Sequence, residues 1–212
     1  MIIQNQVGPI AAATSIAPGT QVVGRAGQMG DGIVSEFAPR YYEATYRQQK
    51  FNGANTAATA TTAGLATTYT GLVLYNPAGN TRNLIVTKVG YSFIVAPAAA
   101  MAIGLMTGYA AAGIVTASAA GNPGSTSLIG TGSAPTGKAA LSATLVGTPL
   151  VHSVFGMAGT AAATAMPTIT GSIVDLEGGV VLPPGGYAAI YTSTASGAAS
   201  FLGSIEWLEL PL

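Results

Sequence analysis

The stretch from Glu177 to Leu210, EGGVVLPPGGYAAIYTSTASGAASFLGSIEWLEL, constrains the fold more than any other part of the chain. It reads as three strands joined by two turns. Val180 to Leu182 is a short apolar run, and Pro183-Pro184-Gly185-Gly186 can continue neither a ladder nor a helix, so it turns the chain. Tyr187 to Thr194 is β-branched and aromatic enough for a strand, and Ala195-Ser196-Gly197-Ala198 supplies the second turn. The return strand sets Phe201, Gly203, Ile205 and Trp207 on one face and Ser204 and Glu206 on the other, the period of two that marks a half-buried strand. From Trp207 to Leu210 the alternation breaks and both faces turn apolar in places, as in a last strand covered by another sheet or another subunit.

Upstream the same pattern repeats. Leu72 to Tyr75 predicts a strand, Asn76 to Asn80 a turn, and Asn83 to Ala96 the longest strand of the chain, with Ile85, Thr87, Val89, Tyr91, Phe93 and Val95 as its core face. Met101 to Tyr109, Ile114 to Ala117 and Thr126 to Ile129 predict shorter strands between glycines. Leu141 to Phe155, with Pro149 inside it, reads as two short strands or an edge strand with a break. Gly156 to Thr168 reads as an Ala/Thr loop, and Ser172 to Leu176 as another strand. Eight or so strands between turn signals, with no strong amphipathic helix, predict an all-β fold, a jelly-roll-like antiparallel β-sandwich over residues 51–212.

The first 50 residues have a different character. Residues 1–24 are rich in Ala, Gly, Pro, Ser and Thr without periodicity, which predicts an extended N-terminal arm. Seven of the fourteen charged residues then fall between Arg25 and Lys50. Within that segment Tyr42 and Tyr46, like Glu43 and Arg47, are four apart and suit a short helix after Pro39, while alternate residues suit a strand equally well. Because Tyr and Arg are enriched where proteins meet, Arg25, Phe37, Arg40, Tyr41, Tyr42, Tyr46 and Arg47, together with Trp207, are the candidate partner-binding residues. Residues 1–50 are thus predicted to form an arm and interface segment.

Only 7% of the 212 residues are charged, against roughly 25% in ordinary globular proteins. A net charge of zero gives little protection against self-association, so much of the surface is expected to be covered by neighbours in an assembly. The same balance leaves no basic stripe for nucleic acid. Without cysteine there are no disulfides or thiolate metal sites. The N-terminus, with no Lys or Arg before its apolar residues and with Pro9 and Pro18, does not read as a secretion signal. Residues 89–137 carry no charge, yet Pro97, Gly104, Gly108 and Gly113 interrupt them well short of the ~20 apolar residues of a membrane-spanning helix.

Few side chains could carry chemistry. His152, the single histidine, precedes Ser153 on a strand, where neighbours point to opposite faces and cannot form a dyad. Asp175 and Glu177 share a strand face, but two carboxylates are too few to specify a cation. Glu206 and Glu209, with opposite facing on one strand, do not oppose each other across a sugar as a glycosidase requires. Trp207 is more economically explained as core or interface than as a carbohydrate platform. Gly24 to Gly30 lacks the Lys-Ser/Thr and the strand-then-helix context of a phosphate loop. The residues therefore predict no catalytic group, no metal and no cofactor.

The Pro/Gly-containing arm, the Tyr/Arg segment, the uncharged sandwich, GGVVLPPGGYAAIYT and the terminal SFLGSIEWLEL together resemble the small virion structural proteins of tailed bacteriophages. The resemblance covers about the last two-thirds of the chain and rests on Leu182, Pro183, Pro184, Gly185, Gly186, Tyr187, Glu206 and Trp207. It implies a non-enzymatic capsid cement or decoration protein of the virion, assembled in the host cytoplasm. Its partners would be the major capsid protein and further copies of itself, usually as a homotrimer, with no nucleic acid or membrane partner. A receptor-binding or tail or head-fibre adhesion module is the alternative. An enzyme accounts for least of the pattern.

Overall fold

The computed structural model describes residues 5–6, 24–25, 40–111, 116–120, 123–127, 133–158, 171–197 and 200–212. The chain divides into two units, Met1–Arg40 and Tyr41–Leu212. In the first, β1 (Asn5–Gln6) pairs in parallel with β2 (Gly24–Arg25). The second contains α1 (Tyr42–Tyr46), β3 (Lys50–Ala54), β4 (Thr68–Tyr75), β5 (Arg82–Phe93), β6 (Met101–Tyr109) and β7 (Thr116–Ala120). It continues with β8 (Gly124–Ser125), β9 (Lys138–Thr144), β10 (Leu150–Ala158), β11 (Gly171–Leu182), β12 (Gly186–Thr192) and β13 (Phe201–Pro211).

Two antiparallel sheets pack as a sandwich. One has the order β10-β6-β12-β4-β9-β7, the other β11-β5-β13-β3-β8. With β7, β8 and β9 set aside, successive strands cross from sheet to sheet at every connection except β6 to β10, which are neighbours in one sheet. That is the doubly wound connectivity of a jelly roll. The three remaining strands widen it, β9 and β7 beyond β4 and β8 beyond β3.

Between the sheets lie Phe51, Leu72, Leu74, Leu84, Val86, Leu105, Ile190, Phe201, Ile205 and Trp207, all buried. Phe93 meets Phe201 edge to face at 5.4 Å between ring centres, a favoured aromatic geometry. The six-stranded sheet is also covered on its outer face. There Tyr69, Val73, Met106, Ala140, Ala143, Leu145, Tyr187 and Ala189 form a second apolar cluster with Leu65 packed on it. The covering segments are tied down by Leu145 N–H donating to Thr67 O (2.7 Å), Gly64 N–H to Thr192 O (2.8 Å) and the Tyr187 hydroxyl to Val146 O (3.2 Å). A sheet buried on both faces reads as continuous apolar runs, which is how Leu72-Val73-Leu74 and Leu105-Met106 read. Part of the charge deficit is therefore explained within one chain. The apolar run Ala98 to Met106 leads into and fills β6, where Met101, Ile103 and Leu105 belong to the inner core. No helix among the described residues is long and apolar enough to cross a membrane.

The Pro183-Pro184-Gly185-Gly186 turn forms as read. Gly186 N–H donates to Pro183 O (2.8 Å), and Gly185 has φ +92°, the positive value that the third residue of a type II turn needs. The turn is held by Asn76, whose buried amide donates to Arg82 O (2.8 Å) and Leu182 O (2.9 Å). Thus the turn after β4 and the turn after β11 are one corner.

Two expectations are corrected. The predicted core face of β5 holds only from Val89 through Tyr91 to Phe93; nearer the strand start Leu84 and Val86 point inward instead. Thr87 is the reason. Lys88 pairs with Glu206 and Val86 with Trp207, so Thr87 is an extra residue whose hydroxyl donates to Glu206 O (3.1 Å), and the bulge exchanges the two faces. The boundary expected at residue 50 falls at Arg40/Tyr41. Lys50 is already inside the sheet, paired with Leu208, and residues 41–49 go with the sandwich.

Burial also pushes the Tyr69 phenol far above its ordinary pKa of 10.0 while its hydroxyl donates to Ile190 O. The folded state keeps a proton that the unfolded state releases near pH 10, so this stability is complete below pH 10 and is lost as the pH rises above it. Urea unfolding at increasing alkaline pH should show a falling midpoint, with a shallower fall in Tyr69→Phe. Equal slopes for the two proteins would refute this.

Candidate functional surface

Four charged residues of the sandwich, Asp175, Lys88, Glu206 and Lys50, come together across the five-stranded sheet. Asp175 of β11 stands opposite Lys88 of β5, Lys88 opposite Glu206 of β13, and Glu206 opposite Asn52 of β3. Opposite charges on adjacent strands in direct register attract across the ladder. Lys50, two residues before Asn52 on the same strand, is buried, and its Nζ donates to the half-buried Glu206 carboxylate. Tyr41 lies over this row. Its ring centre is 5.4 Å from Lys50 Nζ and 5.6 Å from Lys88 Nζ, and its hydroxyl donates to Asp175 Oδ1 at 3.2 Å. One aromatic ring thus sits between two ammonium groups and reaches a carboxylate.

From Tyr41 the chain enters α1. Thr45 N–H donates to Tyr41 O (2.9 Å), and Gln48, at φ +57°, ends the helix. Gln49 O then accepts from Glu209 N–H (2.9 Å), which fixes the far end of the segment to β13. Between these anchors Tyr42 and Tyr46 stack on each other, ring centres 6.0 Å apart, and both stay exposed. The helical alternative for Tyr42 to Tyr46 is the one that forms, with the spacing of four setting both rings on one side.

The candidate partner-binding residues consequently have different fates. Tyr42, Tyr46 and Arg47 are exposed on or just after α1, whereas Tyr41 is half-buried on the charge row. Arg40, exposed, belongs to the first unit. Arg25 lies in β2, and Phe37 lies outside the described residues. Trp207 requires correction as a surface candidate. It is fully buried beside Phe51, because the face of β13 that carries it is the inner one.

The acidic pair of β13 separates as expected from alternation. Glu206 faces outward to Lys50, and Glu209 faces inward with no exposure. The buried carboxylate accepts from Thr136 N–H (2.9 Å), Gly137 N–H (2.8 Å), the Thr136 hydroxyl (2.6 Å) and Trp207 Nε1 (3.1 Å). A carboxylate with its lone pairs filled by donors of the fold is a brace for the loop before β9. Asp175 and Glu177 are both exposed on β11, with Leu176 between them turned to the core. Residues 176–179 form a wide bulge, Glu177 adopts φ +53°, and its N–H donates to Asp175 Oδ1 (2.8 Å). Among the described residues no three His, Asp or Glu side chains gather as a metal site would require.

His152 is exposed on β10, and the Ser153 hydroxyl is buried without a hydrogen-bond partner, so the two do not form a dyad. His152 lines an open cleft of about 450 Å³ between β10 and β11, with Leu150, Thr107, Tyr109, Val181 and Pro183. Sequence reasoning missed this side of the sandwich. Both flanking strands end their sheets and expose large apolar residues, a signal present in the two-sided hydrophobicity of Leu150 to Val154.

Two variants probe the two anchors. Tyr41→Ala removes two cation–π contacts and a hydrogen bond, and trypsin cleavage after Arg47 should then rise ~10-fold or more, whereas Tyr41→Phe stays close to wild type. Glu209→Ala leaves several buried donors unsatisfied and should lower stability by about 3 kcal/mol or more in urea unfolding. Unchanged cleavage or an unchanged midpoint contradicts the respective assignment. No protein-family model matches the chain, and comparisons with curated proteins and with solved structures find no match.

Proposed function

We propose that this chain is a non-enzymatic structural protein of a virion, a cement or decoration protein that binds a phage head through α1 and associates with further copies of itself. The observation that carries the reading is the contrast between how polar and apolar groups are used. Glu209, Lys50, Glu206 and Asp175 are engaged in internal contacts, while the Tyr42–Tyr46 stack is presented to solvent. Rigid aromatic side chains held by a fixed backbone bind protein surfaces with little loss of conformational freedom. The β-sandwich and the phage-like terminal stretch support the same reading. By it the major capsid protein is the partner, and the site of action is the virion.

The experiment is a binding assay against empty heads and against host cells. Wild-type protein should cosediment with heads and not with cells. Replacing Tyr42 and Tyr46 by Ala should weaken head binding by roughly 30-fold or more if either ring contributes the ~2 kcal/mol of an interface hot spot. Binding to cells and not to heads would favour an adhesion module, and undiminished head binding by the double variant would remove α1 from the contact.

A further inference from the structure

The side of the sandwich closed by β10 and β11 is built as a docking wall. β10 ends the six-stranded sheet and β11 ends the five-stranded one, so among the described residues each pairs with a single neighbour and leaves its other edge unpaired. Leu150, Val154 and Met157 on β10 are 71%, 58% and 65% exposed, and Ile173 on β11 is 73% exposed. Val151 and Val181 add to them, and the cleft that Leu150 shares with Val181 joins the two strands. Inward from this wall Phe155 and Leu176 pack on the core, with Phe155 stacked on Tyr91 at 6.5 Å. The wall therefore rests on a fixed layer.

We propose that a second copy of this chain docks on the β10–β11 wall. This rests on the reading of the protein as a self-associating structural protein and names the surface used. Charge argues for the occupant. β10 has no Asp, Glu, Lys or Arg, and on β11 only Asp175 and Glu177 are charged, the former holding Tyr41 and the Glu177 N–H. A largely apolar wall with few charges selects a partner surface of the same kind, and a chain with 7% charged residues supplies one. Size agrees as well. A 12-residue strand runs ~40 Å, and two sheets ~10 Å apart with their side chains make a wall of about 800 Å², what each partner contributes to a standard stable interface. Two register shifts in β10 and the bulge at 176–179 in β11 interrupt both edges, so docking proceeds by side-chain packing and not by extending a ladder.

The test is sedimentation velocity at micromolar concentration on the full chain with Val154→Glu/Met157→Glu, with Ile173→Lys as an independent second disruption, and with Leu212→Glu as an exposed apolar control. Far-UV circular dichroism and the urea midpoint establish that each variant is folded. Wild type and the control should associate, and both wall variants should associate at least roughly 100-fold more weakly. Wild-type association that both wall variants retain overturns the wall while leaving self-association intact. A wild type that stays monomeric overturns the wall and the self-association of the proposed function together. A monomer that instead cosediments with phosphatidylcholine vesicles through the same residues overturns the second copy as occupant.

Discussion

A buried carboxylate that, among the described residues, takes hydrogen bonds from neutral donors ties the loop before β9 to β13. Glu209 sits in the plane of the inner core, where an unpaired charge would cost several kcal/mol, yet it receives donors from Trp207, Thr136 and Gly137. Three consequences follow from that one residue. The indole of the largest buried side chain has its N–H satisfied, the loop leading into β9 is fixed against β13, and through the Glu209 N–H the end of the α1 segment is tied to the same strand. The corner at Asn76 does similar work at two turns, with an amide in place of a carboxylate. In a chain so poor in charge, a few fully satisfied polar groups position long uncharged loops.

The strands were legible because turn chemistry and alternation are local. Pro183-Pro184-Gly185-Gly186 dictates its own turn, and Phe201 to Trp207 alternates strictly where only one face is buried. Where both faces are buried the pattern loses its period, so Leu72-Val73-Leu74 announced a strand without saying which side met which layer. That ambiguity has a functional cost for sequence reading. Apolar residues without charge suggested surfaces covered by neighbours, and some of them are covered by residues 61–67 and 145–147 of the same chain.

What stayed hidden were long-range registers. The row Asp175, Lys88, Glu206 joins residues nearly 90 or 120 positions apart, and no local spacing reveals it. Thr87 shows how one extra residue defeats a sound alternation argument, since a bulge turns the same letters to the other face. Tyr41, Tyr42 and Tyr46 looked equivalent as a cluster, but only the register of β11 against β5 decides that Tyr41 is clamped and the other two are free to present their rings. Trp207, the most visible residue for recognition, is fully buried for the ordinary reason that it lies on the inner face.

Strand β13 lies between β5 and β3. On a ribosome adding ~5–20 residues per second, β3, β5 and β11 emerge well before residues 201–211. Until those residues arrive, β3 and β5 have no partner in common, and the pocket of Leu84, Val86 and Phe51 that receives Trp207 has no lid. The nascent chain therefore cannot finish this sheet piecemeal. Prematurely ended chains are left with an open sheet and an exposed core, which marks them for proteases and keeps them out of any assembly that recognises the finished sandwich.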